Sequence, residues 1–299
     1  YTHLFTATKG VPIMGVPLTA CPGALVGCIV GQTINRRGVE SGGSADGFAT
    51  DTQIEGKFST GAISHTVLAG FDYFRTEYDF LRNGVAAARV LPILNMYSPV
   101  FRGSAGYDAA LSPQVSTIGV GDQWGAYLQD QIAIGGLRVT IGGRKDWTRD
   151  DTTNRVNNRR YINENDAFTW RIGAVYLLDN GLAPYASFAE SFQPQVSDPS
   201  TSLNGEPFVP TTGQQYEAGL RYQSGNNIYM TVGVYQITQQ NITTPDPGGV
   251  LCGTAVCLIQ TGEGRIRGAE FEAKAALPWG TTLIGSVAHS ESEVTKSNA

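Results

Sequence analysis

Residues 166–178 read DAFTWRIGAVYLL, and this stretch decides the fold class. Apolar side chains occupy every second position from Phe168 to Leu178, with Thr169 and Arg171 between the first of them. In a helix these positions would spread around the whole circumference, whereas in a strand they form one face. The stretch is therefore predicted to be a β-strand with one apolar and one polar face.

The same alternation recurs along most of the chain, at 48–58, 137–146, 216–222 and 269–277. Helical spacing of apolar positions is nowhere sustained, so the sequence predicts an all-β protein. The predicted strands lie at roughly 1–8, 46–60, 65–80, 119–133, 137–150, 166–178, 182–195, 212–223, 227–241, 258–277 and 281–295.

The connections between the predicted strands alternate between short and long. The short ones are hairpin turns with Gly or Asn, residues that adopt a positive φ at little cost, around Gly61 and at 135–136, 179–181, 224–226 and 278–280. The long loops span 9–45, 81–118, 151–165, 196–211 and 242–257. An antiparallel up-and-down meander of this kind is typical of a transmembrane β-barrel with long extracellular loops and short periplasmic turns.

A soluble β-sandwich shows the same alternation and is the main structural alternative. Strands of about 12 to 15 residues are long for a globular sheet, and loops of about 16 residues or more are rare in compact domains. Aromatic residues near the strand ends also favour a barrel, because they are typical of the membrane interface. The candidates are Trp124, Trp147, Tyr185, Tyr222 and Trp279. Because bacterial barrels close with an even number of strands, eleven strands predict a partial barrel.

Composition disfavours several other classes of protein. The 299 residues carry a net charge of −5, so no basic surface is available to bind nucleic acid. No run approaches the ~18 apolar residues of a membrane-spanning helix. The chain opens with YTHLFTATKG rather than with Met and a basic leader, so we expect a processed chain or a fragment.

The four cysteines indicate an oxidising compartment. Cys21 and Cys28 lie in the first long loop, and Cys252 and Cys257 lie in the last. Four cysteines allow three pairings, of which the two local ones require no contact between distant loops. A zinc site is the weaker alternative, because no histidine lies near either pair.

The sequence offers little for catalysis, and we expect a protein that is not an enzyme and holds no metal or other cofactor. The nucleophile-elbow, phosphate-loop and HExxH patterns are absent from the sequence. Asp150 and Asp151 begin a predicted loop, which favours solvated charge over general acid–base chemistry. An outer-membrane hydrolase would depend on a histidine such as His65 or His289.

Several segments, in order and with matching spacing, resemble the barrel of TonB-dependent siderophore receptors of the ferrichrome type. The most specific are APYASFAESFQP at 183–194, GQQYEAGLRY at 213–222 and RGAEFEA at 267–273. The stretches TDTQIEGKFSTGAISHTVLAGFDYFR at 50–75 and WGAYLQDQIAIGGLRVTIGGRKDW at 124–147 extend the likeness. The loop with the first cysteine pair is similar to the cysteine-bearing outer loop of that family.

The resemblance implies a barrel of about 22 strands around an N-terminal plug domain. Such receptors bind a ferric siderophore outside the cell and admit it when the TonB complex acts on the plug. We therefore expect residues 1–299 to be part of the barrel domain of a Gram-negative outer-membrane receptor, without its plug and C-terminal strands. The implied partners are the ferric siderophore, outer-membrane lipid and, through the plug, TonB, with iron carried as substrate. A passive porin or a surface adhesin is the alternative function.

Ligand contacts are expected in the second long loop, whose aromatic and cationic side chains could cover a ferric chelate and bind its oxygens. The candidates are Phe80, Arg82, Arg89, Tyr97, Phe101, Arg102 and Tyr107. Loop packing is the alternative interpretation of Tyr97 and Phe101. The stretch before Cys21 lacks the aromatic residues of ferrichrome-type relatives, so hydroxamate, citrate-like and catecholate chelates all remain open.

The two faces of the strands are predicted to meet different surroundings. We expect apolar residues on the convex, lipid-facing side, namely Leu137, Val139, Phe168, Trp170, Ile172, Leu220 and Phe271. We expect charged residues to line the lumen and face a plug, namely Arg138, Arg144, Arg171, Glu190, Glu217, Arg221, Glu270, Glu272 and Lys274.

Overall fold

The structure is a computed structural model that describes residues 2–10, 21, 27–34, 39–85, 94–100, 111–195, 201–225, 227–252 and 255–296. No helix in this described part is long and apolar enough to cross a membrane. The elements are β1 (Thr2–Gly10), β2 (Thr33–Ile34), β3 (Val39–Thr60), β4 (Ile63–Val85), β5 (Leu94–Asn95), β6 (Leu111–Ile134), β7 (Leu137–Asn154), β8 (Arg159–Tyr176), β9 (Leu182–Gln193), β10 (Thr211–Ser224), β11 (Ile228–Pro245), β12 (Leu251–Cys252), β13 (Ala255–Val256), β14 (Leu258–Ala276) and β15 (Thr282–Lys296).

Eleven strands form one antiparallel sheet in the order β1-β3-β4-β6-β7-β8-β9-β10-β11-β14-β15. Apart from the short strands within the loops, neighbours in the sheet are neighbours along the chain. The all-β class and the meander of eleven strands are therefore confirmed. Several strands continue beyond their predicted ends; β4 reaches Val85, and β6 begins at Leu111.

The predicted long loop at 151–165 is wrong, because β7 and β8 continue until only a four-residue turn at 155–158 separates them. Asn154 Oδ1 accepts a hydrogen bond from the backbone N–H of Val156 at 2.9 Å, which starts the turn. Asp151 and Arg160 form an ion pair across the two strands. The apolar alternation stops here because paired charges, rather than a buried apolar face, line the end of this hairpin.

Strand register places the predicted apolar side chains on one face, called the apolar face below. Ile172 pairs with Phe188 across β8 and β9, and Phe188 pairs with Tyr216 across β9 and β10. The ring of Phe168 lies over Gly143, which assigns the odd-numbered residues of this part of β7 to the same face. Further pairs across β10, β11 and β14 complete the set of Leu137, Val139, Phe168, Trp170, Ile172, Leu220 and Phe271.

The opposite face, called the polar face, carries most of the predicted lumen residues. Arg171 pairs with Ala189, one residue out of phase with the Ile172–Phe188 pair. Glu217 pairs with Tyr235 across β10 and β11. The predicted residues on this face are Arg138, Arg144, Arg171, Glu217, Arg221, Glu270, Glu272 and Lys274.

Two residues lie on the face opposite to the one expected. Glu190 pairs with Gln214 and shares the apolar face with its strand neighbours Phe188 and Phe192. Tyr185, expected in an interfacial aromatic girdle, lies on the polar face and donates a hydrogen bond to Glu217 Oε1 at 2.7 Å. The face that a strand residue occupies depends only on its odd or even position along the strand. Glu190 therefore lies on the same face as Phe188 and Phe192.

The chain divides into two compact units. Unit 1 comprises Tyr1–Phe48, Arg75–Gly121 and Asp150–Ile162. Unit 2 comprises Ala49–Phe74, Asp122–Arg149 and Asn163–Ala299. The β2–β5 ladder belongs to unit 1, whereas the β12–β13 hairpin belongs to unit 2.

Candidate functional site

Arg144 on β7 is the centre of a hydrogen-bonded network on the polar face of unit 2. Its Nη1 and Nη2 donate to Asp72 Oδ2 and Oδ1 on β4 at 2.5 and 2.9 Å. Its Nε donates to both carboxylate oxygens of Asp146 at 2.9 Å. Because Asp146 is only 4% exposed, the planar guanidinium balances a carboxylate that has lost most of its hydration.

Tyr127 on β6 extends this network to β3. Its hydroxyl donates to Asp51 Oδ1 at 2.9 Å, and its ring centroid lies 5.7 Å from the guanidinium carbon of Arg144. Gln123 Nε2 donates to Asp146 Oδ1 at 3.2 Å. Side chains from four adjacent strands are thereby joined on one face.

Two glycines allow these side chains to lie flat along the sheet. A Cβ on Gly70 would stand 2.2 Å from Tyr127 Cζ, and a Cβ on Gly125 would stand 2.0 Å from Arg144 Nη2. A glycine beneath an aromatic ring on a neighbouring strand is a recurring device in β-sheets. The side chains consequently run along the polar face rather than project away from it.

The same device recurs on β9 and β10. A Cβ on Gly219 would stand 2.7 Å from the ring of Tyr185. The guanidinium carbon of Arg221 lies 4.6 Å from the centroid of that ring. Together with the Tyr185–Glu217 hydrogen bond, these contacts form a second ordered polar patch.

A groove of about 540 Å³ opens on the polar face beside Arg144. Its polar lining includes Asp51, Asp72, Tyr127, Gln129, Arg144 and Arg171. Arg171 donates to Gln129 Oε1. The sequence analysis predicted Arg144 and Arg171 on the polar face but not Asp72 or Tyr127. The signal that could have identified the network is a glycine on a neighbouring strand, such as Gly70 beneath Tyr127 and Gly125 beneath Arg144.

Unit 1 joins the first and second long loops through a two-residue ladder. Thr33 pairs with Asn95, and Ile34 pairs with Leu94. The backbone N–H of Met96 adds a hydrogen bond to the carbonyl of Gln32 at 2.9 Å. The two loops that were predicted to carry a disulfide and the ligand site are therefore held together.

A disulfide precedes this ladder. Cys21 and Cys28 are bonded, with their Cα atoms 5.8 Å apart. The fully buried Thr33 accepts a hydrogen bond on its Oγ1 from the backbone N–H of Ile29 at 2.8 Å. The sequence allowed three cysteine pairings, and the structure shows the local one, Cys21–Cys28, next to an ordered turn.

Tyr97 follows the ladder in an Asx-type turn. Asn95 Oδ1 accepts hydrogen bonds from the backbone N–H groups of Tyr97 and Ser98 at 2.9 and 3.3 Å. The Tyr97 side chain is 75% exposed. Its backbone is thus fixed by the turn while its ring remains open to solvent.

Phe80 and Arg82 share one face of β4 with Tyr78. The Arg82 Nε is buried and makes no hydrogen bond within the described residues. The other four predicted ligand contacts, Arg89, Phe101, Arg102 and Tyr107, lie outside the described residues. The structure therefore places three of the seven candidates, and it shows one unsatisfied donor among them.

The fourth long loop is held against the first residues of β14 within unit 2 by a contact that the sequence did not reveal. Gln260 Oε1 accepts a hydrogen bond from the Val209 backbone N–H at 2.8 Å, and Gln260 Nε2 donates to the Val209 carbonyl. Gln260 Nε2 also donates to the carbonyl of Asn241 at 2.9 Å. Cys252 and Cys257 are bonded with their Cα atoms 4.9 Å apart, which closes the β12–β13 hairpin nearby.

This arrangement of a long-stranded antiparallel sheet, a polar face and disulfide-bearing loops agrees with one family of proteins. The family model described as TonB dependent receptor-like, beta-barrel matches residues 21–299. The chain belongs to this family. Members are receptors and transporters, and the chain accordingly lies in the outer membrane of a Gram-negative bacterium.

Individual relatives agree with this family assignment. The ferrichrome outer membrane transporter/phage receptor of Escherichia coli K12 is 36% identical over 269 residues, which is 89% of this chain and 35% of that protein. The ferrioxamine B receptor of Salmonella typhimurium is 31% identical over 214 residues, covering 71% of this chain and 29% of that protein. The chain thus spans about a third of the length of the curated relatives it matches.

Solved structures share the fold. The ferric preacinetobactin receptor of Acinetobacter baumannii superposes with a TM-score of 0.75 at 20% identity, covering 99% of this chain and 42% of that one. The unliganded ferric citrate transporter superposes with a TM-score of 0.65 at 18% identity, covering 98% and 39%. In a TonB-dependent receptor barrel the polar face lines the lumen and the apolar face meets lipid.

Roughly 11 residues of a barrel strand cross a membrane. Counted from the short turns at Gly61 and Gly135, Tyr78 and Asp150 lie 17 and 15 residues along the chain (78 − 61 and 150 − 135), beyond a spanning segment that begins at those turns. Thr152 Oγ1 donates to Asp150 Oδ1 at 2.6 Å and lies 2.6 Å from the hydroxyl of Tyr78. Burial raises the pKa of Asp150, the Thr152 hydrogen bond opposes this rise, and the charge of Asp151 adds to it. Burial also raises the pKa of Tyr78. Among the described residues no group of three or more His, Cys, Asp or Glu could hold a metal ion.

Proposed function

We propose that this chain is part of the barrel of an outer-membrane receptor that binds ferric siderophores and transports them with energy supplied through TonB. The observation that carries the proposal is the family match over 21–299 together with relatives named as ferrichrome and ferrioxamine B receptors. The proposed domain assignment is a portion of the barrel, with the plug supplied by another part of the full protein. Iron travels as substrate within its chelate, and the proposal includes neither a resident cofactor nor an enzymatic activity.

The polar face is proposed to meet the plug. Its charged and amide groups are already joined to one another around Arg144, so the wall offers fixed donors and acceptors to a soluble domain. The residues proposed to line the lumen are Arg138, Arg144, Arg171, Glu217, Arg221, Glu270, Glu272 and Lys274. Glu190 is left out, since its register assigns it to the lipid-facing side.

Hydrogen exchange in the full-length receptor tests plug contact. The variants Arg171→Glu and Glu272→Arg should lower the protection of plug amides if the wall contacts the plug. Unchanged protection in both variants would mean that the wall meets only water.

The ligand is proposed to bind at the loops of unit 1. Tyr97 offers an exposed ring on a fixed turn, and Arg82 adds a guanidinium to the same loops, with its buried Nε lacking a hydrogen-bond partner among the described residues. Phe80 adds apolar surface on the same face of β4 as Arg82. The proposed contacts also include Arg89, Phe101, Arg102 and Tyr107, and ferric hydroxamates are the first ligand class to test.

Uptake of radioactive iron distinguishes a TonB-dependent transporter from a passive porin. The full-length gene is expressed in a strain that lacks its own siderophore receptors, with and without functional TonB, and offered ferric hydroxamates, citrates and catecholates. We expect uptake of one chelate class only when TonB is functional. Uptake that is equal in both backgrounds would support a porin, and surface attachment without uptake would support an adhesin.

A further inference from the structure

The turn at 29–33 in the first long loop buries a polar residue and exposes apolar ones. Thr33 is 0% exposed, and its Oγ1 accepts a hydrogen bond from the backbone N–H of Ile29 at 2.8 Å. In the same turn Ile29 is 48% exposed and Val30 is 56% exposed. A turn that meets only water favours the opposite arrangement, with the hydroxyl outside and the aliphatic side chains inside. The surface of this turn is therefore suited to an apolar partner.

The second long loop shows the same preference beside this turn. Leu94 in β5 is only 3% exposed, so the buried side of the ladder has its own apolar residue. Beyond it Met96 is 42%, Tyr97 is 75% and Val100 is 63% exposed. These three side chains are thus additional to the buried apolar residue of the β2–β5 ladder.

The polar groups of the two segments are used between and within them. The Asn95 Nδ2 donates to Gln32 Oε1 at 3.4 Å, and the backbone N–H of Met96 donates to the Gln32 carbonyl at 2.9 Å. The Asn95 Oδ1 accepts from the backbone N–H groups of Tyr97 and Ser98. The exposed apolar side chains of both segments therefore flank one fixed ladder. They are called the apolar loop patch below and comprise Ile29, Val30, Met96, Tyr97 and Val100.

The apolar loop patch carries no ionisable acid or base apart from the Tyr97 phenol. Residues 27–34 and 94–100 contain no Asp, Glu, Lys, Arg or His. An anionic chelate would meet no cation on these two segments. The patch is consequently suited to an uncharged part of a ligand that is rich in carbon and poor in oxygen.

Topology places the apolar loop patch at the long-loop end of the sheet. The first long loop leaves β1 and enters β3 where Gly10 pairs with Val39, and the second leaves β4 at Val85. The short turn around Gly61 lies at the opposite end of β3 and β4. In an outer-membrane barrel the long-loop end is extracellular, so the patch meets solutes that arrive from outside.

The size and chemistry of the patch favour a small flexible occupant. A stable protein–protein interface uses about 20–30 residues on each side, far more than these five side chains. Met96 has an unbranched, adaptable side chain that packs against apolar groups of irregular shape, and Ile29 and Val30 add aliphatic surface. An alkyl chain fits this description better than a rigid, oxygen-rich chelate does.

We propose that the apolar loop patch binds the alkyl tail of an acylated ferric siderophore. The inference rests on the proposed function, because the chelate head is bound by the contacts proposed above for the loops of unit 1. No bond is made or broken. The receptor thereby binds an amphiphilic chelate more tightly than the same chelate without its tail.

Isothermal titration of the full-length receptor in lipid nanodiscs tests this inference with matched pairs of chelates. One pair is N-acetyl and N-hexanoyl ferrioxamine B, and the other is the acetyl and hexanoyl forms of a ferric tris-catecholate. The members of a pair share their iron centre and charge, and empty nanodiscs correct for entry of the tail into lipid. We expect the hexanoyl member of the preferred pair to bind about tenfold more tightly, because its additional methylene groups are buried.

The combined variant Val30→Thr and Met96→Gln makes the patch polar while it keeps the size of both side chains and adds no charge. It should reduce the hexanoyl advantage to about twofold or less and leave the affinity for the acetyl member unchanged. Val250→Thr is the matched control, because Val250 is 50% exposed in the loop that carries the other disulfide. This control should keep the full hexanoyl advantage.

The outcomes separate this inference from the proposed function. Equal affinity of the parent for both members of a pair would contradict the inference alone, since the chelate head would still be bound. Binding of neither pair would contradict the proposed function and, with it, the inference. An undiminished hexanoyl advantage in the combined variant, or an equal loss in Val250→Thr, would place the tail elsewhere and overturn the inference.

Discussion

Arg144 and Asp72 form a two-point ion pair between β7 and β4, with N–O distances of 2.5 and 2.9 Å. The pair spans β6, which lies between these strands in the sheet, and it passes over Gly125, where a side chain would occupy the guanidinium position. Asp146 binds the remaining edge of the same guanidinium. One cation thus balances two carboxylates on the polar face of the sheet.

Removal of this cation should destabilise the barrel. Arg144→Ala leaves Asp72 and Asp146 without their shared partner, so we expect a loss of about 1–3 kcal/mol, below the range for a fully buried pair because the side chain is partly solvated. Arg144→Lys should fall between Arg144→Ala and the parent, since an ammonium lacks the planar fork. Thermal unfolding of the full-length receptor measures the effect. Arg138→Ala is the control, as Arg138 donates to the carbonyls of Gly135 and Leu137 and forms no ion pair within the described residues; a similar loss in both variants would contradict the assignment.

The glycine under Tyr185 should be intolerant of a side chain. A Cβ on Gly219 would stand 2.4 Å from the backbone oxygen of Val232 as well as 2.7 Å from the Tyr185 ring. Since backbone cannot yield as a flexible side chain can, we expect Gly219→Ala to cost about 1–3 kcal/mol. Gly173→Ala on β8, a strand with neighbours on both sides, is the matched control, because the nearest atom to its Cβ position is Ser187 Cβ at an ordinary contact distance of 3.5 Å. If both variants melt with the parent, the close approach at Gly219 is not a constraint.

Gln260 should determine how firmly the fourth loop is attached. It pairs with both backbone groups of Val209 and with the carbonyl of Asn241, so Gln260→Ala removes three hydrogen bonds at once. We expect the Val209 amide to exchange with solvent about tenfold faster or more, with little change in global stability. Gln223→Ala, which removes a single hydrogen bond to Gly225, serves for comparison. Unaltered exchange at Val209 would show that the loop is held by other contacts.

Tyr97 provides the sharpest test of the proposed ligand site. Because its side chain is exposed, Tyr97→Ala should leave stability within about 0.5 kcal/mol of the parent. Binding of the preferred ferric siderophore should weaken by about 1–3 kcal/mol if the ring covers the chelate. Isothermal titration of the full-length receptor measures this, and Arg102→Ala should show a comparable loss. If both variants bind the siderophore with the affinity of the parent, the ligand site lies in other loops.

The alternation of side chains determined the fold class before any contact was known. DAFTWRIGAVYLL and similar stretches specify which residues share a face, and glycine-rich turns specify where the chain reverses. These are local properties with a short period, so the eleven strands, the face of Arg144 and the face of Phe271 could all be predicted. The local cysteine pairings were among the options, since short loops bring their ends together without help from the fold.

Contacts between strands were decided only by the tertiary structure. Alternation says which face Asp72, Tyr127 and Arg144 share, but the strand register decides that the three meet over Gly70 and Gly125. The pattern also failed where charge pairs replaced an apolar face, as in the hairpin around 155–158.

His65 shows the same limit most clearly. The sequence marked it only as a histidine on which a hydrolase would depend, and could not pair it with its hydrogen-bond partners Thr60 and Asp130, which lie 5 and 65 positions away. Local periodicity determines which face of the sheet a side chain occupies. Its contacts on neighbouring strands depend on the strand register and on where a glycine leaves room for a side chain from the next strand.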